Sequence, residues 1–175
     1  MSKLSVFGKA HEASSAAGPF HWFIYGSSLD QAAFAEWAGS HGYVLPDLAL
    51  AVPVRLPGYR LSFDVVSRFW GGATGSLVEA PGDAVEGVAL LLPPEAKGLV
   101  DHKEGAISGL YEPFDVTVEP LAGGAPLQAV AYRTTAARRE AEQPPSPRFL
   151  DTIIAGGKRA GLSAGWLARL EGLRP

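Results

Sequence analysis

The chain has no cysteine, which excludes disulfides, thiolate nucleophiles and every cysteine-ligated metal site, and leaves no mark of an oxidising compartment. Charge is sparse: Asp, Glu, Lys and Arg make up 19% of the residues and the formal net charge is -3. No run of Lys or Arg is longer than a pair such as Arg138-Arg139, so the sequence builds no surface for a phosphate backbone, and nucleic acid is not expected as a partner. Long apolar runs are missing too. No stretch approaches the roughly 20 apolar residues of a membrane span, and Met1 to Ala17 lack the apolar stretch of a signal peptide. No membrane association is therefore expected, and the compartment expected is the cytoplasm. Histidines number only four, His11, His21, His41 and His102, with no metal-binding or triad spacing. Any chemistry should thus proceed without a metal. His21, in an aromatic strand, is the one that could line a cavity.

What is present suits one compact domain. Hydrophobic residues form 47% of the 175, enough for a core, and the length lies below the roughly 250 residues at which a single core stops growing. Residues 1–19 are small, polar and aperiodic and should form a loose tail, with a single domain over 20–175. Twenty-one glycines and fourteen prolines cut the chain into short elements.

Periodicity predicts about six strands. Phe20 to Tyr25 is aromatic and β-branched, and Leu61 to Val65 and Phe114 to Glu119 alternate with period two. Ala73 to Glu79, Val85 to Leu92 and Leu127 to Arg133 complete the set. Val88 to Leu92 is apolar without alternation and should be central, buried on both faces. Four short helices are expected. The first follows Gly26, capped by Ser28, with Leu29, Ala33 and Trp37 on one face; the second runs about three turns from Pro94 to a stop at Gly105. The third opens at Ser146-Pro147 with a stripe of Phe149, Leu150, Ile153 and Ile154, and is expected to be interrupted or ended at Gly156-Gly157. Ser163 caps the last, with Trp166, Leu167 and Leu170 inward. Ala136 to Pro145 reads as a solvated loop, and aromatics near Trp166 could serve a homodimer.

Glu104 breaks two local rules. On the helix from Pro94 it shares a face with Ala96 and Val100, and it stands at the C-terminal end, where the macrodipole disfavours a negative charge. Both circumstances raise its pKa and would make it a stronger base than a surface glutamate. The plainer alternative is a side chain frayed into water or paired with Lys103 or an arginine. A second signal is Tyr25-Gly26-Ser27-Ser28-Leu29, a strand ending in a glycine turn that opens a helix. Free backbone N–H groups there could hold a carboxylate or an oxyanion, though a tight turn with a capping serine explains the same residues.

At these positions the chain resembles the γ-glutamylcyclotransferase-like family. The family's Tyr-Gly-Ser-Asn-Leu loop is similar to Tyr25 to Leu29, with Ser28 where asparagine is usual. Its Trp-Gly-Gly segment is similar to Trp70-Gly71-Gly72, its Leu-Asp-x-x-Glu-Gly…Tyr stretch to Val100 through Tyr111, and its C-terminal pattern to Pro145-Ser146-Pro147…Gly161-Leu162. The resemblance implies an α+β fold, a small and mostly antiparallel β-barrel with short flanking helices. It implies Glu104 as the catalytic acid/base, and a substrate pocket formed by Tyr25, Gly26, Ser27, Ser28, Leu29 and Tyr111. The implied reaction is cyclisation of a small γ-glutamyl amine or amino acid to 5-oxoproline, with no cofactor. Two rivals stand beside it: a non-catalytic module that binds γ-glutamyl ligands on the same fold, and a serine hydrolase using Ser27.

Overall fold

The structure, a computed structural model, describes residues 18–45 and 51–175. The greater part of the expected tail, residues 1–17 with His11, lies outside the described residues. Five strands form a closed barrel: β1 (Phe20–Ile24), β2 (Ala51–Ser67), β3 (Gly72–Leu92), β4 (Tyr111–Pro120) and β5 (Leu127–Thr134). Around the barrel the order is β1-β3-β2-β4-β5. Every pairing is antiparallel except the seam, where β1 runs parallel to β5 through His21 opposite Ala129 and Trp22 opposite Val130. Closure removes sheet edges and leaves an interior that side chains must fill. Trp22, Phe23, Leu77, Val85, Ala131 and Tyr132 are among the residues buried within the barrel or between its wall and the helices.

The α+β barrel with short helices is as expected, with five strands in place of about six. The two segments expected as separate strands, Ala73 to Glu79 and Val85 to Leu92, are one strand, β3, because β2 runs alongside both. Its partner register shifts between Pro57 and Tyr59, so Ala80 to Asp83 bulge out without ending the ladder. The first half of β2 carries Pro53 and Pro57, which disguise an alternation in which Val54 and Leu56 are buried while Arg55 and Pro57 are exposed. The segment from Val88 to Leu92 is buried almost throughout, with Leu91 half-exposed, and Val88 and Leu90 border a cavity that Phe34 also lines.

The helices are α1 (Gln31–Ser40), α2 (Lys97–Lys103), α3 (Pro147–Ala160) and α4 (Ala164–Glu171). The start of α1 differs from expectation. Ser27–Leu29 is a separate 3-10 turn, and Asp30 is the N-cap, its Oδ1 accepting from the Ala33 N–H at 3.2 Å. The carboxylate is the better acceptor, and moving the cap by two residues rotates the buried stripe to Phe34 and Ala38, leaving Ala33 exposed. Likewise Pro94–Ala96 is a 3-10 turn and α2 proper is only two turns long. The Ser146 and Ser163 caps hold as expected, accepting from Phe149 N–H at 3.3 Å and Trp166 N–H at 3.1 Å.

Gly156-Gly157 does not interrupt α3, which continues to Ala160 and ends at Gly161 with φ 79°. A Cβ on Gly156 would stand 2.8 Å from the Leu29 carbonyl carbon, so this glycine serves contact between α3 and the Ser27–Leu29 turn rather than chain reversal. Two surface expectations also change. Trp166 is buried at 7% exposure and offers no face to a homodimer. Side chains of Ala136 to Gln143 do face water, but the backbone is tied down, with Glu140 and Gln143 N–H donating to the carbonyls of Asp64 and Phe63 at 2.9 and 3.0 Å. No helix among the described residues is long and apolar enough to cross a membrane.

Candidate active site

The strand β1 ends at Ile24, and the following turn turns inward over a cavity of about 210 Å3 at one end of the barrel. Tyr25, Gly26, Ser27 and Ser28 form one wall, Glu104 with Lys103 and Gly105 a second, and Tyr111 with Thr74 and Gly75 a third. Trp70 and Phe149 close the apolar side, their rings meeting edge to face at 5.5 Å. Six of the seven expected site residues therefore share one space. Leu29 does not: it is buried beneath the turn, against Gly156, and borders a separate cavity beside α1. The 3-10 turn accounts for this, since its tighter winding carries Leu29 round to the core side.

Glu104 is the C-cap of α2, with φ -83° and ψ -2°, and its N–H donates to the Val100 carbonyl at 2.9 Å. Gly105 follows at φ 71°, a left-handed conformation that reverses the chain and leaves the Glu104 side chain over the cavity instead of continuing the helix. The side chain is partly accessible through the cavity, yet protein surrounds it closely. Burial lifts its carboxyl to about 7, against a smaller opposing pull from the Lys103 ammonium. Such a carboxyl is half-ionised near neutrality and can both take and return a proton. The alternative of a pairing with Lys103 or an arginine is absent: among the described residues Glu104 is in no ion pair.

The two phenols are held as donors. Tyr25 donates to the Tyr132 carbonyl at 2.6 Å and Tyr111 to the Gly75 carbonyl at 3.0 Å. Burial raises both pKa values, that of Tyr111 to about 12, and the negative charges of Glu104 and Asp64 add to the effect. Both therefore stay protonated at any working pH. Of the turn's N–H groups, Leu29 donates to Gly26 and Asp30 to Ser27, each at 3.0 Å, whereas Gly26, Ser27 and Ser28 have no backbone partner among the described residues. Those three residues line the cavity.

No described histidine lines this cavity. His21 faces Leu91 and Ala129 across the sheet. His102 points away from Glu104 into a cluster with Trp37, His41 and Tyr43, accepting or donating at Nδ1 to the Tyr43 hydroxyl at 2.9 Å. A serine hydrolase built on Ser27 thus lacks a histidine base among the described residues. Sequence reasoning missed Thr74, Gly75 and Lys103 as wall residues, and placed Phe149 only in the core; the alternation of β3 carried the signal for Thr74, whose face is shared with Ser76.

Comparison with known proteins accords with this geometry. The AIG2-like family model matches residues 84–170. The gamma-glutamylcyclotransferase of Bos taurus is 28% identical over 160 residues, covering 89% of this chain and 79% of the relative. That of Homo sapiens is 27% identical over the same length and coverage. A solved structure of a gamma-glutamyl cyclotransferase superposes with a TM-score of 0.75 at 26% identity, covering 90% of this chain and 89% of the other. Over most of its length the chain is similar to the γ-glutamylcyclotransferase-like, or AIG2-like, family. Within that family setting, the segment matched by the model includes Glu104, Tyr111 and Phe149, while the Tyr25 turn lies upstream of it.

Proposed function

We propose that the protein is a γ-glutamylcyclotransferase that closes a γ-glutamyl compound to 5-oxoproline and releases the free amine. The observation that carries this reading is Glu104: a carboxyl lifted to about 7, in no ion pair among the described residues, in a cavity also lined by Gly26, Ser27 and Ser28, whose N–H groups have no backbone partner among those residues. The family relationship supports the same reaction.

In this mechanism the substrate's α-ammonium lies against the Glu104 carboxylate and gives up one proton. The freed amine attacks the γ-carbonyl carbon, forming a new C–N bond and a tetrahedral oxyanion. Glu104 then returns the proton to the departing nitrogen, the original amide C–N bond breaks, the oxyanion collapses to the lactam carbonyl, and the second proton of the attacking nitrogen passes through Glu104 to the released amine, which leaves as its ammonium. Atoms balance without water or a second reactant. The amides of Gly26, Ser27 and Ser28 supply donors for the substrate α-carboxylate or the oxyanion. Tyr25, Tyr111, Trp70 and Phe149 hold the chain curled with nitrogen close to carbon, where intramolecular attack gains a large effective molarity.

The test is 5-oxoproline release from a panel of γ-glutamyl amino acids and amines by the wild type and Glu104→Gln. The wild type should turn over at least one member, and the variant should lose at least about a thousandfold in kcat/KM with an unchanged fold. Activity surviving in Glu104→Gln would refute the base assignment.

A further inference from the structure

Two walls of the cavity must face each other for the reaction: the end of α2, which carries Glu104, and the turn after β1, which carries Gly26, Ser27 and Ser28. Neither is long enough to place itself. α2 has seven residues, and so short a helix depends on tertiary contacts. Leu99 and Val100 are buried and anchor its apolar side, but apolar packing is non-directional and does not by itself fix the last turn. Among the described residues, Asp101 is the one residue of α2 whose side chain forms a hydrogen bond to a barrel strand: its Oδ1 accepts from the Tyr132 hydroxyl at 2.6 Å.

Tyr132 lies in β5, is buried, and lines no part of the cavity, yet it holds both walls. Its hydroxyl donates to Asp101, three residues before Glu104, and its carbonyl accepts from the hydroxyl of Tyr25, which opens the turn. The Asp101 end is tied as firmly. The Lys97 ammonium pairs with the same carboxylate from one turn back, and the Asp101 carbonyl accepts from the Ala106 N–H at 2.9 Å, closing the chain around Glu104 and Gly105. A phenol-to-carboxylate bond is charge-assisted, and burial, then the carboxylate itself, raise the Tyr132 pKa, so the phenol stays a donor. We propose that Tyr132 and Asp101 are positioning residues for the cyclisation: the hydrogen bond between them, with Tyr25 bonded on the other side of Tyr132, holds the Glu104 carboxyl at a set spacing from the turn. This rests on the cyclotransferase reading. The base must reach an ammonium on a substrate that the turn grips elsewhere, and a misplacement of about 1 Å can cost about a hundredfold in rate.

The test uses three substitutions. Tyr132→Phe removes the hydroxyl and keeps both the ring and the backbone carbonyl that Tyr25 uses. Asp101→Ala removes the acceptor from the other side, and Asp101→Asn removes the charge but keeps an oxygen acceptor. Release of 5-oxoproline is measured well below the unfolding midpoint of each variant. In Tyr132→Phe and in Asp101→Ala, kcat should fall by about 10- to 100-fold with KM within about threefold of the wild type. Asp101→Asn should keep kcat within about threefold, and the double variant Tyr132→Phe, Asp101→Ala should be no slower than the slower single variant. A merely structural role would lower the midpoints and leave kcat of the folded protein near the wild-type value, which would overturn the inference, as would a loss confined to KM. Losses that multiply in the double variant, or an Asp101→Asn as slow as Asp101→Ala, would overturn it too, since the residues would then act apart or by charge alone. A wild type that releases no 5-oxoproline from any γ-glutamyl compound would instead sink the cyclotransferase reading and this inference with it.

Discussion

The Tyr25 hydroxyl donates to the Tyr132 carbonyl at 2.6 Å, joining the end of β1 to β5 across the parallel seam that closes the barrel. Only two residue pairs register along that seam, so one buried hydrogen bond carries an unusual share of it. The same bond fixes the phenol as a wall of the cavity. In Tyr25→Phe the ring stays but the Tyr132 carbonyl loses its donor in a dry interior, at a cost of about 1–3 kcal/mol. Urea unfolding should show a lower midpoint at constant slope, with a fall in turnover of any γ-glutamyl substrate. An unchanged midpoint would mean that water replaces the phenol.

Activity should follow the ionisation of Glu104. A base must be deprotonated to work, so kcat/KM should rise with pH along a single limb centred near 7, where burial places the carboxyl. Placement of that limb near 4.5, the ordinary value, would show a hydrated carboxylate and remove the reason for choosing Glu104.

Stability should move the opposite way. A carboxyl raised in the folded state binds a proton more tightly there than in the unfolded chain, so its contribution to stability is present at low pH. That contribution is lost as pH rises from about 4.5 to about 7 and is absent above. Across that window the wild type should lose on the order of 2 kcal/mol relative to Glu104→Gln, a figure reduced for the water reaching the carboxyl through the cavity. Urea midpoints of both proteins at a series of pH values measure it; parallel curves would refute the shift.

Much of this site is legible in the sequence, and what is not has a physical reason. The helix-phase argument that put Glu104 on the face of Ala96 and Val100 works because three neighbouring positions fix a helical face whatever the tertiary setting; Ala96 and Val100 are indeed buried. The length of β2 and β3 is not legible, because Pro53, Pro57, Pro81 and Gly82 signal breaks locally, and only pairing between the two strands carries each through. Competition among capping side chains decides Ser28: Asp30, two residues on, is the stronger acceptor, and Ser28 becomes a buried wall residue. Lys103 carries no sequence mark at all. Its position follows from where α2 stops relative to the barrel mouth, which is a tertiary fact.

The glycine pair in α3 gives the sharpest contrast between a local rule and a packing requirement. Both residues sit inside the helix, where replacing glycine by alanine ordinarily gains up to about 1 kcal/mol. At Gly157 the added methyl would meet side-chain carbons of Leu167 and Leu162 at 3.1 and 3.2 Å, which can shift by a few tenths of an ångström. At Gly156 it would meet Leu29 Cβ at 2.7 Å and the Leu29 carbonyl carbon and oxygen at 2.8 and 2.9 Å, and backbone yields far less easily. Gly157→Ala should therefore stay within about 1 kcal/mol of the wild type in stability and keep its activity. Gly156→Ala should lose about 2 kcal/mol or more and should also lose turnover, because relieving the clash displaces the turn that carries Ser27 and Ser28 into the cavity. Urea unfolding and 5-oxoproline release, measured on both variants, separate the two positions. Equal behaviour of the pair would show that α3 and the turn have room between them, and that the glycines answer to something other than this contact.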